Sequence, residues 1–443
     1  MAAISQSFKI GEEYIFEITQ LPELNTDSFD IYSIEDTMHY LTARKITNTT
    51  FGLTCNSSPG NTFVSNLQIK VNGVYGYDSW ENNNANGLNI GVTINGTVQK
   101  EPVRIYNPSN TTVEIGIYRS RGSAPNIDIY YCVGSTEGEY IHFTDSTTYG
   151  TTPAITFTLQ PNYSVWFYSE SMTHWANAGT ADYINIRNTT SYTLSSGLEM
   201  SGSTASLITG NITGNCFYRL FSDFSALGSV SSSFLPATNI AATCYAYMFA
   251  WCKSLTNAPN LPALTLPNEC YASMFYQCSS LTTAPELPAT TLSNYCYYQM
   301  FRYCTSLTTA PNLPALTATT SCYNGMFANC TALTSAPESL PATTLAISCY
   351  SGMFAQCTSL QRAPSLPALT LVSNCYQGMF NGCGQLNYVR ALFTTEPSRS
   401  YTMNWLYGVA ATGTFVKNPN ATWVVEGANG VPSGWTVITD TNS

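Results

Sequence analysis

The chain reads as a multidomain protein in which N-terminal antiparallel β-sandwich modules precede an α/β repeat solenoid with a small C-terminal cap. Three observations predict this. Residues up to about 195 alternate apolar and polar side chains between turn signals, as in EEYIFEITQL, NLQIKVNGVYGY and VEIGIYRS. From Cys244 onward a unit opening with Cys-Tyr returns at Cys270, Cys296, Cys322, Cys349 and Cys375, in steps of 26, 26, 26, 27 and 26 residues. A length of 443 residues with 44% hydrophobic content requires more than one core.

The β-rich part comes first. Asn95-Gly96 is a good two-residue hairpin turn, and the break in QKEPVRIYNPSN divides the region into modules over 1–102 and 103–195. The solenoid follows over 196–390. Its one long step has a visible cause, because Ser339 is an extra residue in APESLPA where other units read APELPA or APNLPA. Upstream, Cys216, Leu220, Phe221, Phe224 and Leu227 form a worn copy, as expected of an N-terminal capping unit.

Placed on a helix at about 100° per residue, the Cys, Tyr, Met, Phe, Cys and Leu of one unit share an arc of about 140°. The spacing therefore predicts an amphipathic helix at the start of each unit. Its core face would carry Cys244, Cys252, Cys270, Cys278, Cys296, Cys304, Cys322, Cys330, Cys349, Cys357, Cys375 and Cys383, with Phe249, Phe275, Phe301, Phe327, Phe354 and Phe380. Cysteines eight apart on a helix lie about 12 Å apart, beyond the reach of a disulfide. The array holds no histidine to complete a zinc site and no basic neighbour to activate a thiol. Buried free thiols filling space are the expectation. The Ala-Pro of SLTTAPNLPA stops the helix, and the extended segments after it should pair between units as a short parallel ladder. At Val389 the pattern is expected to stop, leaving 391–443 as the C-terminal cap.

Charged residues make up only 9% of the chain, and the net charge is -10 with no Lys/Arg cluster. Such a surface would repel phosphate backbones and anionic lipid, so neither nucleic acid nor membrane insertion is expected. The start MAAISQSFKIGEEY lacks a basic region followed by an apolar run, which predicts synthesis and folding in a cytoplasm. His39, His142 and His174 are scattered, with no nucleophile motif beside them, and no phosphate loop, HExxH or GxSxG occurs. No enzyme activity, catalytic residue, metal or cofactor is expected. Tyr247, Trp251, Tyr276 and Tyr303 are the candidate binding residues: they occupy variable, outward positions where later units carry Gly, Asn, Ala and Gln. Exposed aromatic rings on a neutral polar surface stack on sugars, dock proteins or pack on a neighbouring domain.

The unit, with Cys304, Ser306 and Leu307 following Phe301, resembles the AFxxCxSLxxIxIP unit of BspA-type leucine-rich repeats. Those repeats occur in surface proteins of gut Bacteroidetes and in the crAss-like and other phages that infect them. Met-Phe for Ala-Phe, the added Cys-Tyr pair, Ala-Pro in the strand and the period of 26 are departures. The resemblance covers about 200–443 and implies an α/β leucine-rich-repeat solenoid and, as a class tendency, adhesion. The expected function is a phage virion protein, made in the host bacterial cytoplasm, that serves as a head or tail fibre or a capsid decoration subunit. It would contact other virion proteins through the N-terminal β modules, form a homo-oligomer such as a trimer, and present the solenoid to a host surface protein or glycan. The alternative is a bacterial cell-surface adhesin.

Overall fold

The computed structural model describes residues 101–177, 182–208 and 211–441 in full and, within 1–100, the backbone of seven strands. The chain forms two compact units, 1–102 with 209–211, and 103–208 with 212–443. In the first unit, β1 (Ala3–Ser5), β3 (Asp30–Asp36), β6 (Phe63–Asn72) and β7 (Leu88–Ile94) make one sheet in the order β1-β7-β6-β3. Strands β2 (Glu13–Glu17), β4 (Leu41–Lys45) and β5 (Thr50–Cys55) make a second, in the order β2-β5-β4. The sandwich packing expected over 1–102, the Asn95-Gly96 turn and His39 lie outside the described residues.

The second unit opens with β8 (Val103–Tyr106), β9 (Val113–Arg119), β10 (Ile127–Gly134), β11 (Ile141–Asp145), β12 (Ile155–Leu159), β13 (Ser164–Tyr168) and β14 (Ile184–Asn188). Their alternation buries Val103, Ile105, Ile115, Ile117, Ile127 and Ile129 on one side, as a half-covered sheet requires. The self-contained sandwich expected over 103–195 is corrected here. One sheet runs β11-β10-β13-β8 and is continued by β15 (Leu198–Ser201) and β16 (Leu227–Val230), so its last strand belongs to the first solenoid coil. The other sheet is β12-β9-β14. A single apolar core passes from these sheets into the coils without a break.

From about 198 to 439 the chain is a β-solenoid, as the repeat predicts, but the amphipathic helices are absent. Each unit opens instead with a run of consecutive turns. Alternate N–H groups donate to the carbonyl three residues back, as in Ala246 to Thr243 (3.2 Å), Met248 to Tyr245 (3.1 Å) and Ala250 to Tyr247 (3.1 Å). The intervening ones donate to the next coil: Tyr245 to Cys270 (3.0 Å), Tyr247 to Ala272 (2.9 Å), Phe249 to Met274 (3.0 Å) and Trp251 to Tyr276 (2.7 Å). Every fourth residue takes a left-handed backbone, with φ of 59° at Thr243, 57° at Tyr247 and 64° at Trp251, which no α-helix permits. The α/β leucine-rich-repeat form therefore does not apply. The only α-helix among the described residues is α1 (Arg399–Thr402). Short parallel pairings do join the units after the Ala-Pro, as in β17 (Thr265–Leu266) with β18 (Thr291–Leu292) and the bridge Thr317 to Thr344, and further bridges, Thr283 to Thr309 and Thr309 to Ser335, stand just before it.

The coil's interior explains its fixed residues. All twelve array cysteines and all six array phenylalanines named above are fully buried. Tyr245, Tyr271, Tyr297, Tyr323, Tyr350 and Tyr376 stack in one ladder with centroids 5.3–6.0 Å apart. Phe221 through Phe380 form a second ladder at 5.5–5.8 Å. The second cysteine of each unit donates its S–H to the phenylalanine carbonyl of the coil before, as in Cys278 to Phe249 (3.1 Å) and Cys304 to Phe275 (3.1 Å). A buried thiol thus fills volume and also engages a carbonyl lone pair, which alanine or valine would leave bare. In the worn first copy the position is Phe224; no earlier coil offers it a carbonyl.

The two ends of the stack differ from its middle. The first coil's forward-facing carbonyls meet the β sheets instead of a coil: Cys216 O accepts from Trp175 N (2.7 Å), Leu220 O from Ile186 N (2.7 Å) and Ser222 O from the buried Asn185 amide (2.9 Å). These bonds prevent an open edge from pairing with another chain. At the other end the stack runs past 390. Tyr376 N reaches Tyr401 O (3.1 Å) and Phe380 N reaches Trp405 O (2.9 Å), so Tyr401, Thr402, Trp405 and Leu406 form another coil in the Cys, Tyr, Met and Phe places. Strands β19 (Tyr388–Ala391), β20 (Gly413–Lys417) and β21 (Trp435–Thr439) complete a parallel sheet, and Arg390 Nη2 holds Asp440 Oδ2 at 2.5 Å.

Candidate functional site: an aromatic ribbon on the solenoid

The turn coil places its third and seventh positions after the leading cysteine at its outer corners, in the left-handed region. Glycine and asparagine suit that backbone, and the later units supply Gly325, Asn329, Gly352, Gly378 and Gly382 there. The early units instead hold Tyr247 (φ 57°), Trp251 (φ 64°) and Tyr303 (φ 65°) at three of these corners, with Ser273, Gln277 and Gln299 at the others. Bulky residues are costly in this conformation, by roughly 1–3 kcal/mol each. Folding alone gives no reason for them.

The four aromatic residues singled out in the sequence come together as one half-buried ribbon along the stack. Tyr247 stacks on Trp251 with centroids 6.2 Å apart and planes at 12°. Trp251 meets Tyr276 at 5.3 Å and Tyr276 meets Tyr303 at 5.7 Å, both edge to face. Two further tyrosines extend it: Tyr218 lies 5.9 Å from Tyr247, and Tyr183, at the edge of β14, lies 5.8 Å from Tyr218. The ribbon therefore runs from the β sheets across successive coils, on rigid backbone whose every rung is hydrogen-bonded.

Arg219 sits at the centre of the near end. Its guanidinium carbon lies 4.7 Å from the Tyr247 ring, 5.4 Å from Trp251, 5.6 Å from Tyr218 and 5.7 Å from Tyr183. Its Nε donates to Tyr218 Oη (3.2 Å). At the far end Arg302 lies 5.2 Å from the Tyr303 ring, and its buried Nε has no hydrogen-bond partner. Sequence reasoning on full units misses Tyr218 and Arg219, although both stand in the worn Cys216 copy and Arg219 has the corner place of Tyr247. Tyr183 has no such signal, because only the capping strand brings it there.

The histidines lead elsewhere. His142 Nε2 lies 2.6 Å from Asp128 Oδ1, stacks on Tyr130 at 4.5 Å and is exposed; Ser171 Oγ donates to the other Asp128 oxygen at 2.5 Å. Those hydrogen bonds, Ser171 first and His142 next, hold the Asp128 carboxyl below its usual range. The serine bonds the carboxylate and not the imidazole, so this trio is not arranged to make a nucleophile. His174 Nδ1 lies 2.8 Å from the neighbouring Thr173 hydroxyl. Among the described residues no three His, Cys, Asp or Glu side chains are placed to hold a metal ion, and no helix is long and apolar enough to cross a membrane.

Burial raises the pKa of the array thiols, to about 11 at Cys322 and Cys375 and about 12 at Cys383, which keeps them protonated and unreactive near neutrality. The ribbon thus brings bulky aromatic side chains at strained corners together at the solvent-facing side of the coils. No protein-family model, curated protein or solved structure matches this chain.

Proposed function

We propose that the chain is a virion subunit of a phage of gut bacteria, a head or tail fibre or a capsid decoration protein, and that its solenoid binds the host surface through the aromatic ribbon. Kinship with BspA-type repeat proteins, suggested by the repeated motif, belongs to this reading. In it the N-terminal β modules attach to other virion proteins and mediate self-association, while the solenoid points outward. What carries the reading is the placement of Tyr247, Trp251 and Tyr303 at left-handed corners where later units, Gln356 apart, use Gly or Asn. Strained residues that packing does not explain mark a place selected for binding. A one-dimensional stack suits that role, since each coil touches only its neighbours and its outer residues vary without disturbing the ladders inside.

Two measurements test this. Mass spectrometry and electron microscopy of intact particles should find the protein in the virion; finding it only on the bacterial cell surface would favour an adhesin. Trp251→Asn with Tyr303→Asn gives both corners the residue that Asn329 already carries at φ 64°. Melting temperature should hold or rise, while binding of the full chain to host cells should fall about tenfold, the loss expected of two stacking contacts. Unchanged binding would remove the ribbon from the interface.

A further inference from the structure

We propose that the ribbon takes an acidic glycan, an oligosaccharide bearing uronic or sialic acid carboxylates, with Arg219 and Arg302 as its two anion-binding groups. This rests on the ribbon being the receptor-binding face. The carrying observation is the state of the two guanidiniums. In a chain of net charge -10, neither has a carboxylate within ion-pair distance among the described residues, whereas Arg119, Arg121 and Arg390 of the same unit do.

Arg219 spends one N–H, on Tyr218 Oη, and among the described residues its two terminal nitrogens make no hydrogen bond. Their planar pair of N–H groups matches a carboxylate in a two-point contact that a lysine could not reproduce. The rings around it hold the fork in place and desolvate one of its faces, which strengthens a charge-assisted bond to an incoming anion. Asp223 and Asp182 leave that role open. Asp223 is exposed and makes no ion pair with Arg219. Asp182, beside Tyr183, accepts from Ser123 Oγ (2.8 Å) and lies 3.8 Å from Arg121.

The two arginines are separated by coil steps of 5.8, 5.7 and 5.6 Å, read along the phenylalanine ladder from Phe221 to Phe301. Trp251, Tyr276 and Tyr303 lie between and beside them. A sugar chain laid along the stack would rest its apolar ring faces on the aromatic rings and meet a guanidinium near each end. Neutral glycans would use the rings but leave both arginines unanswered.

The test is a glycan array probed with the full chain. It carries alginate oligosaccharides, sialylated oligosaccharides and the carboxyl-reduced form of each, which keeps the sugar skeleton and removes the charge. Binding is expected to at least one acidic set, with a loss of about tenfold or more on its reduced form. Arg219→Gln and Arg302→Gln should each produce a similar loss, and Arg219→Lys a partial one. If Arg219→Gln lowers the melting temperature, Arg302→Gln at the far end carries the comparison. No binding to either acidic set, equal binding to reduced forms, or indifference to both Gln variants would overturn the proposal. Absence from virions with acidic-glycan binding intact would overturn the virion reading alone.

Discussion

Raising the pH above about 9 is expected to unfold the solenoid in one cooperative step. Burial raises the pKa of Cys216 and of all twelve array thiols, and raises the six ladder tyrosines well above the usual phenol value. Below the ordinary thiol range both folded and unfolded chains keep these protons, and the full stability is present. Above it the unfolded chain releases protons that the folded one retains, and stability falls as pH climbs toward the folded values, about 11 for Cys322 and Cys375. Each such group removes about 1.4 kcal/mol per pH unit. More than a dozen acting together exceed the roughly 5–15 kcal/mol that holds a domain folded. Circular dichroism followed from pH 8 upward should show collapse between about pH 9 and 11. A native signal persisting at pH 12 would mean that the thiols and phenols ionise in place, and the buried ladders would be wrong.

Phe301→Ala is expected to cost about 3–5 kcal/mol. Phe301 is fully buried between Phe275 (5.6 Å, planes at 3°) and Phe327 (5.5 Å, planes at 5°). Its carbonyl accepts from Cys304 N (3.0 Å) and from the Cys330 thiol (3.1 Å). Removing the ring opens a cavity against two coils at once, and a linear stack has no third neighbour to relax into it. Arg302→Ala beside it, half-exposed, should cost under about 1 kcal/mol. Urea unfolding monitored by tryptophan fluorescence would show the contrast; equal costs would mean that the inward and outward positions are misassigned.

Which residues face inward is legible in the sequence, because Cys, Tyr, Met, Phe and Leu return at a fixed period. What backbone carries them is not. A turn coil repeats every four residues and a helix every 3.6, and over the eight residues from one cysteine to the next the two differ by only about 80°. Both templates put the same side chains inside. The deciding signal lies in the variable positions: Gly325, Gly352 and Gly378 recur at one place, where a helix is weakened by glycine and a left-handed corner favours it. The final coil hides for a different reason, since Tyr401, Thr402, Trp405 and Leu406 keep the spacing of the unit but none of its letters. Of the ribbon, the four aromatics are visible as exceptions to the repeat. Arg219 and Tyr183 join them only through the stacking of the worn copy on the β sheets.

The far-ultraviolet circular dichroism of the native chain decides most directly whether the repeats are turn coils. With one four-residue α-helix and one four-residue 3-10 helix among the described residues, the spectrum should be that of β and turn structure, lacking the double minimum of helices. A strong helical double minimum, melting together with the solenoid, would restore the helix in each unit and remove the left-handed corners on which the ribbon stands.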